Sequence, residues 1–346
     1  MKIHDTLGAV PPPNDEFLKG PFAPPVYMCR RATLPPKIDG DMFKPFWDAA
    51  PRTIPFRDIE GDCRPAPKYE TWAKVLWDDE NLYLGAVLYG EEIWAYVKER
   101  DEVVFQDNDF EFFLDRTGTT HAYFELETNA INTMWDLLLT KPYRDGGTAL
   151  DGFNFNGMVS AVKVEGEVNN PSAKNIYWST EIMIPWKSIA KHGGASEPPK
   201  PGDYYRINFS RVQWRTEVKD GRFQRVINPE TGRPYPEDNW VYAPTGVINI
   251  HYPELWAFLV FAEDERDTFE IPEVEKIKWE LRKVYYAQRA YFEQHGNFFT
   301  DAPTGGAYPI SINTTPSLFH AWAVYDGVRV NITQDGYTWL EHAKGH

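Results

Sequence analysis

Between Asp109 and Glu127 the chain carries four carboxylates on two short stretches of alternating polarity, Asp109-Phe110-Glu111-Phe112-Phe113-Leu114-Asp115 and His121-Ala122-Tyr123-Phe124-Glu125-Leu126-Glu127-Thr128. With the two-residue period of a strand, Phe110, Phe112 and Leu114 share one side with Ala122, Phe124 and Leu126, while Asp109, Glu111, Glu125 and Glu127 share the other. A turn centred on Gly118 would set Glu111 opposite Glu125 and Asp109 opposite Glu127. Like charges facing across a ladder repel, so this face wants a cation, an arginine, a shared proton or the hydroxyls of a ligand. Three chemistries are open. The face could be exposed and salt-bridged to Arg100, Arg206 or Arg211; it could bind a polyol or a cation; or Glu111 and Glu125 could act as acid and nucleophile or base in glycoside hydrolysis.

Rings accompany the carboxylates. The chain holds 13 Trp, 19 Tyr and 21 Phe, 15% of its residues. Sugars present C–H faces to rings and hydroxyls to carboxylates, so aromatic plus acid is the expected make-up of a carbohydrate site. Trp72, Trp77, Trp178 and Trp186 lie in apolar runs and read as core; Trp94, Trp135 and Trp240 lie in polar or loop contexts and read as ligand contacts, with Phe105 beside them. Serine-hydrolase, zinc-protease, phosphate-loop and dinucleotide motifs are absent. Asp39, Asp41, Asp78, Asp79 and Asp107 could offer oxygen to structural calcium, without EF-hand spacing, and no cofactor is required.

The elements that must position these groups read as mainly β. Short apolar segments broken by Pro, Gly, Asn and Asp run from Tyr27 to about Phe261, the texture of an all-β sandwich. Strands are expected at 73–77, 82–88, 110–114, 122–128, 177–184 and 204–212, the first two joined by a turn at Asp78-Asp79-Glu80-Asn81. From Pro272 to His295 apolar residues fall at helical spacing, with a lapse at Gln288 and a stop at Gly296. Beyond it, Asp326-Gly327 between apolar runs predicts a hairpin. The division is then a Pro-rich irregular arm (1–26), a sandwich (27–262) and a helix-plus-hairpin extension (263–346).

Composition limits the partners. The 36 Lys and Arg against 51 Asp and Glu leave a formal charge of −15, which argues against nucleic acid, and no apolar run is long enough for a membrane span. Cys29 and Cys63 fit no zinc module and read as two free thiols or one bridge. No signal peptide is visible, so the sequence as written reads as cytoplasmic, or as secreted or periplasmic if a leader has been trimmed.

Ile38-Asp39-Gly40, Phe46-Trp47-Asp48-Ala49-Ala50, Ala73 to Asp79 with Leu82-Tyr83-Leu84, Asp109 to Asp115, Tyr177 to Ile182 with Pro185-Trp186, and Asn249 to Ala257 together resemble, in order and spacing, the family 9 carbohydrate-binding modules. The resemblance implies an immunoglobulin-like or jelly-roll antiparallel β-sandwich, often with structural calcium, that binds a sugar without cleaving it. It implies two rings clamping a terminal sugar of a glucan or xylan chain, the first matching Phe105, with Glu111 as the acidic hydrogen-bonding residue. The family's cationic residue falls at Glu125 and its second ring near Ile250, so half the clamp differs. Trp94, Trp135, Trp240 or His251 would have to compensate. The expectation is non-catalytic recognition of an oligo- or polysaccharide through Trp94, Phe105, Asp109, Glu111, Glu125, Trp135, Trp240 and His251, with a Glu111/Glu125 glycan hydrolase as the alternative.

Overall fold

The computed structural model describes residues 10–34, 36–193, 198–302 and 306–342. The first nine residues of the arm and the last four of the extension lie outside them. Ten of the thirteen strands of one curled sheet form the frame of the sandwich: β1 (Val26–Arg31), β2 (Thr71–Trp77), β3 (Asn81–Tyr89), β4 (Asp109–Asp115), β5 (Tyr123–Asn129), β6 (Met134–Leu139), β7 (Val159–Glu165), β8 (Tyr177–Pro185), β9 (Tyr204–Gln213) and β10 (Ala257–Phe261). Their order is β6-β5-β4-β9-β10-β1-β2-β3-β8-β7. The sheet is mixed rather than wholly antiparallel, because β1 runs parallel to both neighbours: Val26 to Cys29 pair with Phe258 to Phe261, and Arg30 and Arg31 with Leu76 and Trp77. One strand thus belongs to both layers and curls the sheet onto itself.

Strand alternation fills the space between the layers. Phe110, Phe112 and Leu114 from β4 and Phe124 and Leu126 from β5 meet Val75 and Trp77 from β2, Leu82, Leu84 and Leu88 from β3, and Trp178 and Ile184 from β8. The expected core tryptophans Trp72, Trp77, Trp178 and Trp186 are all buried. Both thiols are free, Cys29 buried and Cys63 exposed.

Two of the segments that carry the family resemblance, 38–50 and 177–186, meet around one buried acid. Glu181 on β8 is fully buried; its Oε1 accepts from Trp47 Nε1 at 2.8 Å, and its Oε2 accepts from the Asp39 and Gly40 amides at 2.8 Å and from Lys44 Nζ at 2.7 Å. Gly40 has φ +82°, and a Cβ there would come within 2.5 Å of the Lys163 amide nitrogen, so the turn demands glycine.

The arm's described part is docked. Asn14 caps a one-turn helix, α1 (Asp15–Lys19), its amide bonds to the Gly246 carbonyl, and Phe22 stacks on Trp279 at 5.6 Å. The short α2 (Trp186–Gly193) follows β8. The long helix, α3 (Glu273–His295), starts after Pro272 and ends at Gly296 in the left-handed region, φ +71°. The expected hairpin is part of a larger unit, an antiparallel sheet of β11 (Ser311–Thr314), β12 (Phe319–Tyr325), β13 (Val328–Thr333) and β14 (Thr338–His342), with Asp326 and Gly327 at φ +46° and +75° between β12 and β13. No helix among the described residues is long and apolar enough to cross a membrane.

Candidate functional site

The carboxylates sit on the face of β4 and β5 turned away from the main core. The register differs from the expected one by two residues: Glu111 faces Glu127, Asp109 faces Asn129, and Glu125 faces Phe113. The cause is Asp115. Its Oδ1 accepts from the amides of Thr117 and Gly118 at 2.9 Å and its Oδ2 from Thr120 at 2.8 Å, which winds a seven-residue loop between the strands in place of a tight turn at Gly118. An even slip preserves the parity of the alternation, so all four acids keep one face.

That face is not exposed, and no arginine neutralises it. Asp109 is 0% exposed, Glu127 1%, Glu125 5% and Glu111 6%. Arg211 cannot reach them, because it alternates to the opposite side of β9, where it donates to Thr71 Oγ1 at 3.0 Å and the Tyr89 carbonyl at 2.8 Å and lies over Trp240. Arg206 is taken by Glu275 and by the carbonyls of Glu254 and Trp256. Arg100 pairs with Asp136.

Among the described residues no Lys, Arg or His forms an ion pair with any of the four. Asp109, Glu111 and Glu127 can each turn an oxygen to within 4.8 Å of the others. Glu127 accepts from the Phe105 amide at 3.0 Å and Asp109 from the Val212 amide at 3.3 Å, Ser210 lies directly across from Glu111, and Asp109 Oδ2 and Glu125 Oε2 are buried without partners.

Burial and mutual repulsion act in one direction on this group. Burial pushes Asp109 well above the usual carboxylate range, with Glu111 adding to it; burial and then Glu111 do the same to Glu125, and burial and then Asp109 to Glu127. Burial brings Glu111 up to about 7. Near neutrality Asp109, Glu125 and Glu127 are therefore mainly carboxylic acids, which donate as well as accept, while Glu111 is about half ionised.

Rings line the rim. Trp135 on β6 stands directly across from Glu127, and its ring stacks on Phe105 at 6.4 Å and 29°. Both rings are partly exposed, and the Trp135 Nε1 has no partner. At the other end, His251 Nδ1 bonds Tyr123 OH at 2.9 Å and its ring packs edge-on against Tyr143. Burial and the Arg144 guanidinium push His251 down to about 3, so it is neutral. Burial, Glu125 and other acids raise the exposed Tyr143 to about 12.

Trp94 and Trp240 are placed elsewhere. Trp94 is buried with Val212, Trp214 and Phe223 in a cluster that Phe105 joins from the outside, beside a surface cleft of about 420 Å³. Trp240 is buried in the main core. Of the expected residues the structure thus gathers Phe105, Asp109, Glu111, Glu125 and Trp135, with His251 at one end. Tyr143 and Ser210 join them without having been expected; an exposed ring in a polar loop was the available signal for Tyr143. Ile250 offers no ring and packs with Trp256.

The loop aspartates considered for calcium already have protein partners. Asp39 and Asp41 pair with lysines, Asp79 with Arg31, Asp78 accepts from Tyr83 OH, and Asp107 accepts from the Tyr96 and Val97 amides. Among the described residues, Asp109, Glu111 and Glu127 form an oxygen-rich group with no cationic side chain paired to it.

Residues 38–198 match the family described as carbohydrate family 9 binding domain-like. Strands β9 and β10, which complete the layer under the acids, lie beyond the matched segment. Similar solved structures include a Bacteroides uniformis protein proposed to bind carbohydrate (13% identity over 69% of this chain and all of that one, TM-score 0.49). A family 9 carbohydrate-binding module from Caldicellulosiruptor kristjanssonii in complex with glucose is 15% identical over 70% of this chain and all of that one, TM-score 0.43. In complex with cellotriose the figures for such a module are 14%, 71%, 99% and 0.41. No curated protein matches the chain.

Proposed function

We propose that this chain, whose residues 38–198 match a carbohydrate-binding family, recognises a glycan on the acid-lined face of β4, β5 and β6 and does not cleave it. The supporting observation is the pair of partly exposed, stacked rings, Phe105 and Trp135, at the rim of a buried group of acids of which Asp109, Glu125 and Glu127 are mainly protonated near neutrality. The rings offer a stacking surface for a pyranose, and neutral carboxyls give and take hydrogen bonds from its hydroxyls without the cost of burying charge. Where the better-known modules use a cation at the position of Glu125, this chain uses acids of both donor and acceptor character.

Cleavage by Glu111 and Glu125 fits less well. A glycosidase needs its two carboxyls driven apart in pKa, one ionised and one protonated. Here burial moves both upward, and neither has a cation to hold it ionised.

The experiment is a titration of neutral oligosaccharides by calorimetry, with mass-spectrometric detection of products in the same samples. Trp135→Ala is expected to lower affinity about tenfold, the 1.4 kcal/mol scale of one good ring contact. Binding unchanged in Trp135→Ala and in Phe105→Ala overturns this site; products that vanish in Glu111→Gln overturn the non-catalytic reading.

A hard divalent cation is the second ligand class the acids fit, since oxygen donors with no protein cation are the donor set calcium selects. Calcium would bind by displacing protons from Asp109, Glu111 and Glu127, so its effect should grow with pH.

A further inference from the structure

The extension carries a second surface of site-like make-up, on the side of its sheet facing away from α3. Phe319, Ala321, Ala323, Val330 and Ile332 pack with Ile277, Leu281 and Val284 of the helix. Strand alternation therefore turns His320, Trp322, Asn331 and Trp339 to the other face. There the rings form a row: Trp322 to His320 at 5.0 Å, His320 to Trp339 at 5.4 Å and 15°, Trp339 to Tyr337 at 5.6 Å and 24°, and Tyr337 to His121 at 5.1 Å. All five rings are partly exposed, Tyr337 at 38%.

The row is held in place from below and from the side. Asn331 is fully buried, accepts from His320 Nε2 through its Oδ1 at 2.9 Å and donates to the carbonyls of Arg329 and Trp339. The Trp339 indole donates to Glu341 at 3.1 Å, Glu341 pairs with Arg329 at 3.5 Å, and the Arg329 guanidinium lies over Trp322 at 5.6 Å. Rings fixed in this way lose little freedom when something flat lies on them.

We infer that this row is a second glycan-binding surface, one that takes an extended, uncharged polysaccharide across strands β12 and β14. Three features select that occupant. Successive rings at near-constant spacing suit a chain of repeating sugar faces, whereas one ring suits a chain end. Ser311 and Asn313, which pair with Trp322 and His320 on the neighbouring strand, interleave hydrogen-bonding groups where a protein interface would concentrate apolar ones. The Arg329–Glu341 pair balances its own charge, so the face has no net attraction for a polyanion, and the chain as a whole, at −15, repels one. The row also ends on His121, in the loop that joins β4 to β5, and so runs toward the element bearing the acids.

The test uses the full chain in native gels cast with cellulose ether, xylan, galactomannan, mixed-linkage β-glucan or soluble starch, and in pull-down with microcrystalline cellulose. Wild type is expected to be retained by at least one of them. A Trp322→Ala/Trp339→Ala variant should lose that retention about tenfold, and Trp339→Phe, which keeps a ring, should lose less. Binding of short oligosaccharides at the acid-lined face should be unchanged in both variants, and Trp135→Ala should show the reverse pattern, so the two readings fail separately. Unaltered melting temperature of the double variant confirms that folding is intact. Retention of wild type by none of the polysaccharides, equal retention of the double variant, or loss in that variant of a wild-type dimer seen by sedimentation overturns the inference.

Discussion

Single residues here act through what they satisfy. Glu181 holds three separate pieces of chain, Asp39-Gly40, Lys44 and Trp47, to β8 with one fully buried carboxylate. Removing it leaves the Trp47 indole and the Asp39 and Gly40 amides without their acceptor in a low-dielectric interior, and leaves Lys44 with Asp39 as its one carboxylate partner. Glu181→Ala should therefore cost about 3–5 kcal/mol in urea denaturation, the range for breaking a buried pair; a loss under about 1 kcal/mol would show that water replaces the carboxylate freely. The motif residues of the 38–50 segment were legible in the sequence, but their common partner was not, since nothing local joins position 40 to position 181. The acids show the same limit. Alternation gave Asp109, Glu111, Glu125 and Glu127 one face correctly, while the facing pairs depended on how Asp115 winds its loop, a side-chain to backbone event that strand periodicity does not encode.

Elements are joined by charge as well as by apolar packing. Along α3 the apolar stripe, the Pro272 start and the Gly296 stop were readable from spacing alone. The lapse at Gln288 is fully buried and bonds the Phe299 amide and carbonyl, turning the chain after the helix. Arg282 and Arg289, which look solvated in the sequence, are also buried. Arg289 Nη1 donates to Asp145 Oδ1 at 2.7 Å, beside the Tyr285 hydroxyl at 2.5 Å, and Glu254 takes Arg144 at 2.8 Å and Tyr286 OH at 2.6 Å. Partners this far apart in sequence, 32 residues for Tyr286 and Glu254 and more than a hundred for the others, give no periodic signal. The Arg289–Asp145, Tyr285–Asp145 and Tyr286–Glu254 contacts dock the extension on the sandwich, so Asp145→Ala, which removes the buried counter-charge of Arg289 and the acceptor of the Tyr285 hydroxyl, should destabilise by about 3–5 kcal/mol. By hydrogen exchange its first effect should be faster opening of α3 and β13, with β4 and β5 still protected. Uniform loss of protection across all strands would show instead that helix and sandwich open as one unit.

At the scale of the whole molecule the buried titrating groups set opposing pH limits. Glu111 has its folded pKa raised from 4.5 to about 7, and Asp109, Glu125 and Glu127 move the same way, so their contribution to stability is complete below pH 3.8 for Asp109 and below pH 4.5 for the glutamates and is lost as pH rises through their folded values. Glu254 runs oppositely. Burial alone would raise it, but Arg144 and Arg282 outweigh burial and bring it from 4.5 to about 2, so its contribution is present above pH 4.5 and fades as pH falls toward 2. His251, lowered from 6.5 to about 3, loses stability over the window from 6.5 downward. The melting temperature should therefore peak between pH 4.5 and 6.5, falling on the acid side through Glu254 and His251 and on the alkaline side through the four acids. Glu111→Gln, which cannot ionise, should flatten the alkaline fall and leave the acid side alone. Calcium supplies the missing counter-charge if Asp109, Glu111 and Glu127 take a cation: millimolar calcium should then raise the melting temperature at pH 8, where proton competition is weak, leave it unchanged at pH 5, and do neither in Glu111→Gln/Glu127→Gln. An equal calcium effect at both pH values, or one that survives in the double variant, would place the cation elsewhere and leave protons as the only charge balance on this face.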